Sequence, residues 1–320
     1  MSATAKPSLH GLQMRRLAPS DIGPLNLLFA NAFSDRYRRD GLTGARVPPL
    51  NPMIWRYALD DAGEGAMCWV DADDRLVAFN IAHQSGVEGW MGPLAVRPEW
   101  QGTGLGKRIV TWGTEFLRAR GCAVIGLETM PRTMDNIGFY SRLGFVPAHM
   151  TVTCALEAKP ARCELLSRLG AGDTESALRS CAQLVHRLQP GVDFTRELRL
   201  TRTLGIGDTV LLVGVDGVEG FALCHEAPLI EGRQRDELRV LKLAAADVAL
   251  LAPLLAAVGG HARDGGTARA TVRVQGEYPE AYRTLIAAGA RVRWTDLRMT
   301  LTGCAERVPE CGVVLSNWEI

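Results

Sequence analysis

A glycine-rich segment directly after a short apolar run has the composition of an anion-binding loop. Residues 94–107 read Leu-Ala-Val-Arg-Pro-Glu-Trp-Gln-Gly-Thr-Gly-Leu-Gly-Lys, with glycines at 102, 104 and 106. These glycines leave backbone N–H groups unshielded by side chains, and the helix expected to begin directly afterwards adds the positive end of its dipole. The segment therefore predicts a site for a phosphate or pyrophosphate group.

The spacing of the glycines excludes two common nucleotide-binding motifs. A P-loop requires Ser or Thr after Gly-Lys, but Arg108 follows Gly106-Lys107 here. A Rossmann fingerprint requires Gly-x-Gly-x-x-Gly, and this register fails as well. The pattern Gln-x-x-Gly-x-Gly after Leu-x-Val-x-Pro resembles the coenzyme A pyrophosphate loop of the GNAT superfamily of N-acetyltransferases.

This resemblance implies that the ligand is acetyl-CoA. The pantetheine arm would lie beside strand residues 94–96, and a backbone N–H near Ala95 or Val96 would polarise the thioester carbonyl. Pro93 and Pro98 flank this strand and limit ordinary ladder pairing, which favours a strand that splays from its neighbour. The cofactor-binding residues implied are Leu94, Ala95, Val96, Gln101, Gly102, Thr103, Gly104, Leu105, Gly106, Lys107, Thr133, Asn136 and Tyr140.

A second motif supplies candidate catalytic residues. A strand ending in Leu-Glu at 127–128 leads to a short helix ending Tyr-x-x-x-Gly-Phe at 140–145, as in GNAT proteins. Acyl transfer to an amine requires that the ammonium lose a proton and that the thiolate gain one. The resemblance implies Tyr140 as general acid and Glu128 as general base, with Glu88 on the preceding strand as the alternative base.

Each of these assignments has a structural alternative. Tyr140 could pack as a half-buried aromatic residue, and Glu128 could form a salt bridge to a cation such as Arg132. Thr133 stands where the family usually has an asparagine that touches the pantetheine arm, and Asn136 comes three residues later. A threonine hydroxyl can donate one hydrogen bond there but cannot make the two-handed contact of an amide.

The elements that must position these residues follow from the apolar patterning. It predicts a helix over 22–33, a loop or broken helix over 36–50 and a second helix at 53–59. Strands are expected at 14–16, 66–70, 76–83, 87–96, 122–128 and 146–156, and further helices at 105–120 and 135–143. This order predicts an α/β fold with a mixed, mostly antiparallel central sheet flanked by helices. It is the GNAT element order over roughly residues 12–157.

The second half repeats this plan weakly. Phe221 and Gly289 recur in the contexts of Phe79 and Gly144 at nearly the same offset. We therefore expect two tandem copies: a GNAT-like acetyl-CoA-binding catalytic domain at 1–158 and a degenerate GNAT-like domain at 162–320. In the second copy, residues 244–248 read as a helix start instead of a glycine loop, and Leu285 stands opposite Tyr140.

Composition narrows the class of partner. The 320 residues include 36 basic and 35 acidic side chains, for a net charge of +1, which disfavours nucleic acid and membrane surfaces as partners. No apolar run is long enough to span a bilayer, and residues 1–13 lack a secretory signal, so a cytoplasmic location is expected. The eight cysteines form no Cys-x-x-Cys pair and are expected to be reduced, and the six histidines show no metal-ligand spacing.

The function expected from these observations is N-acetyl transfer from acetyl-CoA to a primary amine, by direct attack in a ternary complex. The acceptor would be a small molecule, a peptide or a protein terminus. The mixed charges at 36–40 favour a solvated loop, and the alternative is that they meet an anionic group on the acceptor. Two other functions stay open: a non-catalytic acyl-CoA sensor or interaction module, and a structural tandem protein with an inactive site. The sequence leaves the oligomeric state open, a homodimer included.

Overall fold

A computed structural model describes residues 7–319 of the chain. The first half contains every element expected from the sequence, with small shifts at the ends. These elements are β1 (Gln13–Arg16), α1 (Ile22–Arg39), α2 (Pro52–Ala62), β2 (Ala66–Val70), β3 (Leu76–Ser85), β4 (Glu88–Val96), α3 (Leu105–Ala119), β5 (Val124–Thr129), α4 (Met134–Ser141) and β6 (Phe145–Glu157).

Helix α1 is longer than expected, because residues 36–39 are helical and do not belong to a loop. Ion pairs along its surface explain the extension. Arg39 pairs with Asp35 at 2.5 Å, Arg38 pairs with the same carboxylate, and Arg36 pairs with Asp40. Pairs at these spacings stabilise a helix, and cations in its last turn interact favourably with its dipole.

The second half repeats the element order of the first. Its elements are β7 (Glu164–Leu165), α5 (Ala171–Leu188), α6 (Thr195–Leu204), β8 (Gly207–Gly214), β9 (Gly217–His225), β10 (Leu238–Ala245), α7 (Leu251–Asp264), β11 (Arg269–Gln275), α8 (Pro279–Ala287), β12 (Arg291–Leu301) and β13 (Val313–Ser316). Gly144 and Gly289 both have φ of +90° at the turn after the short helix, a conformation that favours glycine.

The helix start expected at 244–248 is wrong for its first residues, because strand β10 continues through Ala245. Asp247 then caps a short 3-10 helix (Val248–Leu250), which leads into the α-helix that begins at Leu251. The residues Leu243, Ala244 and Ala245 are fully buried and pair with β9 on one side and β13 on the other. Pairing on both edges outweighs the helix propensity of the alanines.

The thirteen strands found within residues 7–319 form one sheet that runs through both halves. Its order is β1-β2-β3-β4-β5-β12-β6-β11-β10-β9-β8-β7, with β13 paired to β10. The strand that follows the short helix in each half pairs with the other half: β12 lies between β5 and β6, and β6 lies between β12 and β11. The two halves thus exchange a strand at the centre of the sheet.

Helices cover both faces of the sheet. In the first half, α1 and α2 pack on one face through Leu25, Trp55 and neighbours, and α3 packs on the other through Ile109 and Val110. Within residues 7–319, no helix is long and apolar enough to cross a membrane. All eight cysteines in this range are free thiols, and no cluster of three or more metal-ligating side chains occurs there.

Candidate active site

Strands β4 and β5 separate partway along their length. They pair in parallel only from Glu88 with Val124 to Met91 with Leu127, while β4 continues beside β3 to Val96. A bulge in β4 at residues 92–93 coincides with the separation. The opening is part of a cavity of about 620 Å³, and all residues from Met91 to Val96 line it. The splayed strand expected from the sequence is therefore present.

The glycine loop forms one wall of this cavity. Gly102 and Gly104 have φ of +73° and +92°, which favour glycine, and α3 begins directly after Gly104. The N–H groups of Gly104, Gly106 and Lys107 donate no hydrogen bond to any described residue. The first turn of a helix leaves such donors free, and together with the helix dipole they can bind an anion.

Two side chains hold the loop in place. The side-chain Nε2 of Gln101 donates to the backbone carbonyl oxygen of Val96 at 3.1 Å, and Arg39 of α1 donates to the side-chain Oε1 of Gln101 at 2.9 Å. Arg39 and Lys107 both line the cavity. The free amides therefore lie beside two cationic side chains, an arrangement that can bind an anion.

Backbone direction in β4 distinguishes the two candidate oxyanion donors. The Arg97 N–H donates to the Val77 carbonyl on β3 at 2.9 Å. Backbone groups alternate in direction along a strand, so the Ala95 N–H also points to β3, whereas the N–H groups of Leu94 and Val96 point towards the cavity. Of the pair Ala95 and Val96, the structure favours Val96.

Three residues expected to bind the cofactor do not line the cavity. The Thr103 hydroxyl donates to the Trp100 carbonyl at 2.7 Å, and Leu105 is fully buried in the core beneath α3. Thr133 is also fully buried, and its hydroxyl donates to the Asp40 carboxylate at 2.8 Å. Thr133 is therefore not placed to contact the pantetheine arm as expected, because its hydroxyl is buried and already donates its hydrogen bond to Asp40. Asn136 lines the cavity, and its side chain has no partner among residues 7–319.

Tyr140 lies in the cavity wall. Its ring contacts those of Phe139 and Phe145, with centroids 5.1 Å and 6.1 Å away, and its hydroxyl has no hydrogen-bond partner in the described part of the chain. Burial raises the pKa of Tyr140 to about 12, so the phenol keeps its proton at neutral pH and can donate it. Its counterpart in the second half, Leu285, is fully buried in the core.

Glu128 lines the same cavity but is engaged by two arginines. Its carboxylate pairs with Arg298 at 2.8 Å and with Arg273, and it accepts a hydrogen bond from Thr151 at 2.6 Å. Burial alone would raise the pKa of Glu128, but the two guanidinium groups outweigh it and lower the pKa to about 2. Arg132 is not the cation involved, since it donates to the Asp40 carbonyl at 2.6 Å.

Glu88 lies outside the cavity. It is 3% exposed at the start of β4 and accepts hydrogen bonds from Trp318 at 2.9 Å and from the Ser316 hydroxyl. The cavity begins only at Met91, the last residue at which β4 pairs with β5. The C-terminal segment therefore covers the Glu88 carboxylate and separates it from the cavity. This position contradicts the expectation that Glu88 is the alternative base.

The second half contributes cavity residues that the sequence reasoning missed. Trp294 and Asp296 lie on β12, and Glu319 follows β13. Arg273 of β11 pairs with Asp296 at 3.0 Å and with Glu319 at 2.5 Å. The available signal was the alternation of Trp294, Asp296 and Arg298, which places three polar or aromatic side chains on one face of a strand.

In the second half, a strand lies where the first half has its cavity. Strands β10 and β11 pair in parallel only at Leu238 and Arg239, and β13 then pairs with Lys242 to Ala245. Gln275 of β11 donates to the Ser316 carbonyl at 3.3 Å, which ties β13 to the other side of the opening. The chain thus fills its own second cleft.

Comparisons with known proteins agree with this geometry. Residues 31–145 match the model of the Acetyltransferase (GNAT) family. A mycothiol acetyltransferase from Nocardia farcinica is 28% identical over 150 residues, 45% of this chain and 48% of the relative. A chloroplastic serotonin N-acetyltransferase 2 from Oryza sativa is 31% identical over 137 residues, 42% of this chain and 62% of the relative. The chain thus spans about half to three fifths of the length of these relatives.

Solved structures match over nearly the whole chain. A putative acetyltransferase from Pyrococcus horikoshii has a TM-score of 0.68 at 15% identity, covering 99% of this chain and 98% of the other. A tandem GNAT protein from the clavulanic acid biosynthesis pathway has a TM-score of 0.60 at 15% identity, covering 92% of this chain and 100% of the other. A myristoyl-CoA-bound N-myristoyltransferase from Saccharomyces cerevisiae has a TM-score of 0.62 at 12% identity, covering 96% and 86%. At these identities the likeness concerns the fold.

Proposed function

Since residues 31–145 of the chain belong to the Acetyltransferase (GNAT) family, we propose that the protein transfers the acetyl group of acetyl-CoA to a primary amine on a small molecule or peptide. One observation carries the proposal: free N–H groups at the start of α3 and the splayed end of β4 line the same cavity. A pyrophosphate bound at the loop would leave the remainder of a long ligand to follow β4 into the cavity.

Different residues of the first half would bind different parts of the acyl-CoA. The amides of Gly104, Gly106 and Lys107 would hold the pyrophosphate, and the side chain of Asn136 would contact the pantetheine arm. The bound acyl-CoA supplies the acyl group as a thioester. The Val96 N–H would donate a hydrogen bond to the acyl carbonyl oxygen and stabilise the negative charge that develops on it.

Tyr140 would act as general acid in this proposal. Its phenol holds a proton at neutral pH, since burial raises its pKa, and its hydroxyl has no other partner among the described residues. It can therefore donate a proton to the leaving sulfur. This feature favours catalysis over the alternative of a non-catalytic acyl-CoA sensor, for which a protonated, unpartnered phenol in the cavity has no evident use.

The loop assignment is tested by replacing Gly104 with glutamate. A Cβ at Gly104 meets no atom within 4 Å, so the variant places a carboxylate beside the free amides without a clash. We expect acetyl-CoA binding to fall by at least about 100-fold, because one negative charge would stand where the pyrophosphate belongs. Isothermal titration with acetyl-CoA measures this directly.

The matched control is Gly121→Glu. Gly121 has φ of +79° at the other end of α3, and a Cβ there also meets no atom within 4 Å. Both variants therefore carry the same backbone strain, about 1–2 kcal/mol, but only Gly104 lines the cavity. Unchanged acetyl-CoA affinity in Gly104→Glu would refute the assignment, as would an equal loss in both variants.

A further inference from the structure

The part of the cavity that the second half provides is acidic and aromatic. Trp294, Asp296 and Glu319 line it together with Tyr37 of α1. Strand β12 borders β5 on the side opposite to β4, so Trp294 and Asp296 lie across β5 from the glycine loop. A ligand that meets them would approach the cavity from the side away from the pyrophosphate.

The negative charge at Asp296 is only partly compensated. Within residues 7–319, Arg273 is the one cation in ion-pair distance of Asp296, and it also pairs with Glu128 and Glu319. One guanidinium thus serves three carboxylates. A cationic group entering between Asp296 and Glu319 would therefore be attracted.

The remaining groups around Asp296 do not alter this balance. Its other oxygen accepts a hydrogen bond from Trp294 Nε1 at 3.2 Å, and Thr151 of β6 stands opposite it in the ladder. Tyr37 faces the same charges, and burial together with Glu319 and Asp296 raises its pKa, so its hydroxyl stays neutral. Partial burial and the charge of Glu128 raise the pKa of Glu319, and they outweigh Arg273 and Arg239, which lower it.

Asp296 differs from Glu128, the other candidate base in the cavity, in its pKa. Burial raises the pKa of Asp296 to about 7, the charge of Glu319 adds to the rise, and Arg273 opposes it. A carboxylate that titrates near neutral pH can accept a proton from an ammonium group and release it again. Glu128, with a pKa of about 2, holds no proton in this range.

We propose that Asp296, a residue of the second half, accepts the proton of the incoming ammonium group, with Glu319 beside it attracting the positive charge. The acceptor is accordingly an amine that binds as a cation. This inference rests on the proposed acyl transfer. In the balanced step, the ammonium gives one proton to Asp296, which passes it to solvent. The amine nitrogen bonds to the acyl carbon as the C–S bond breaks, the sulfur receives a proton from Tyr140, and the nitrogen's second proton restores the phenol.

The test compares the binding of 2-phenylethylamine with that of 2-phenylethanol, its uncharged counterpart, to the protein saturated with CoA. For the wild type we expect the amine to bind about tenfold more tightly at pH 8 than at pH 6, because Asp296 is ionised only at the higher pH. The alcohol should show no such difference. In Asp296→Asn the pH dependence of amine binding should disappear.

Glu306→Gln is the matched control. Glu306 belongs to the same buried network through Arg298, burial raises its pKa to about 7 as well, and it does not line the cavity. This variant should keep the pH dependence of amine binding. An unchanged dependence in Asp296→Asn, or amine binding no tighter than that of the alcohol, overturns the assignment.

The pH–rate profile supplies a second readout. With acetyl-CoA and 2-phenylethylamine, the wild-type kcat/KM should rise to a plateau through about pH 7, and Asp296→Asn should lose this limb. If Asp296→Asn fails to fold, Asp296→Glu should keep a shifted limb, and a profile without any limb near pH 7 in the wild type contradicts the proposal.

Acetyl-CoA binding is measured in every preparation. Its absence in the wild type refutes the proposed function, whereas its presence with an unaltered limb refutes only the role of Asp296.

Discussion

Two cavity carboxylates show how the surroundings of a residue decide its chemistry. Glu128 and Asp296 both touch Arg273, yet the pKa of Glu128 is lowered to about 2 and that of Asp296 is raised to about 7. Glu128 gains a second cation from Arg298, whereas Asp296 faces the charge of Glu319 instead. A motif position alone therefore does not identify the base.

Replacement of Tyr140 by phenylalanine tests the general acid. The ring contacts with Phe139 and Phe145 survive the change, so the affinity for acetyl-CoA should stay within about twofold. We expect kcat to fall about 100-fold, the usual contribution of a positioned proton donor. Steady-state kinetics and calorimetry on the same preparation measure the two effects.

Tyr282→Phe provides the control for this variant. Tyr282 lies on α8, the helix that corresponds to α4, and does not line the cavity. Its kcat should be that of the wild type. If Tyr140→Phe kept the full kcat, Tyr140 would not be the general acid. Its role would then be to pack against Phe139 and Phe145.

Sequence reasoning found the residues that lie close together along the chain. The loop residues and Tyr140 belong to contiguous motifs, so local patterns identified them, and all of them except Thr103 and Leu105 line one cavity. Asp296 and Glu319 could not be found in this way. The position of Asp296 depends on β12 pairing with β5, and that of Glu319 follows from β13 pairing with β10. Both are long-range contacts that no local pattern encodes.

Helices and strands were predicted correctly where the apolar pattern of the sequence alone determines them. Their ends were predicted wrongly where ion pairs or strand pairing override local propensity. The amphipathic pattern of α3 and its terminal glycines predicted that helix closely. The end of α1 and the end of β10 were missed because ion pairs extend the former and two-sided strand pairing extends the latter. Propensity is a weak guide in both situations.

The strand exchange predicts that the first half does not fold by itself. A fragment of residues 1–158 would lack β12, leaving β5 with an open edge and β6 without either neighbour. It would also leave Glu128 buried without Arg273 and Arg298, a loss of about 3–5 kcal/mol for a broken buried pair. We expect no cooperative urea transition by circular dichroism and no acetyl-CoA binding.

Co-expression with residues 159–320 is the control for the fragment. It should restore both the transition and the binding, because it returns β12 to its place. A fragment of residues 1–158 that unfolds cooperatively and binds acetyl-CoA with the affinity of the full chain would show that the exchanged strand is dispensable.

At the scale of the whole molecule, two similar halves have acquired different tasks. The first half has the glycine loop and an open cleft, whereas β13 fills the cleft of the second half. Three residues of the second half line the cleft of the first: Trp294, Asp296 and Glu319. The repeat itself was visible in the sequence through the recurrence of Gly144 and Gly289. The use of β13 to fill the second cleft was not, because it depends on pairing between strands far apart in the chain.

The most direct test of the account is the stoichiometry of acetyl-CoA binding to the full-length protein by isothermal titration. We predict one site per chain, because only the first half combines free amides with an open cleft, and Gly104→Glu should abolish that site. Two sites per chain would contradict the filling of the second cleft by β13. No binding at all would contradict the assignment of the loop and with it the proposed acyl transfer.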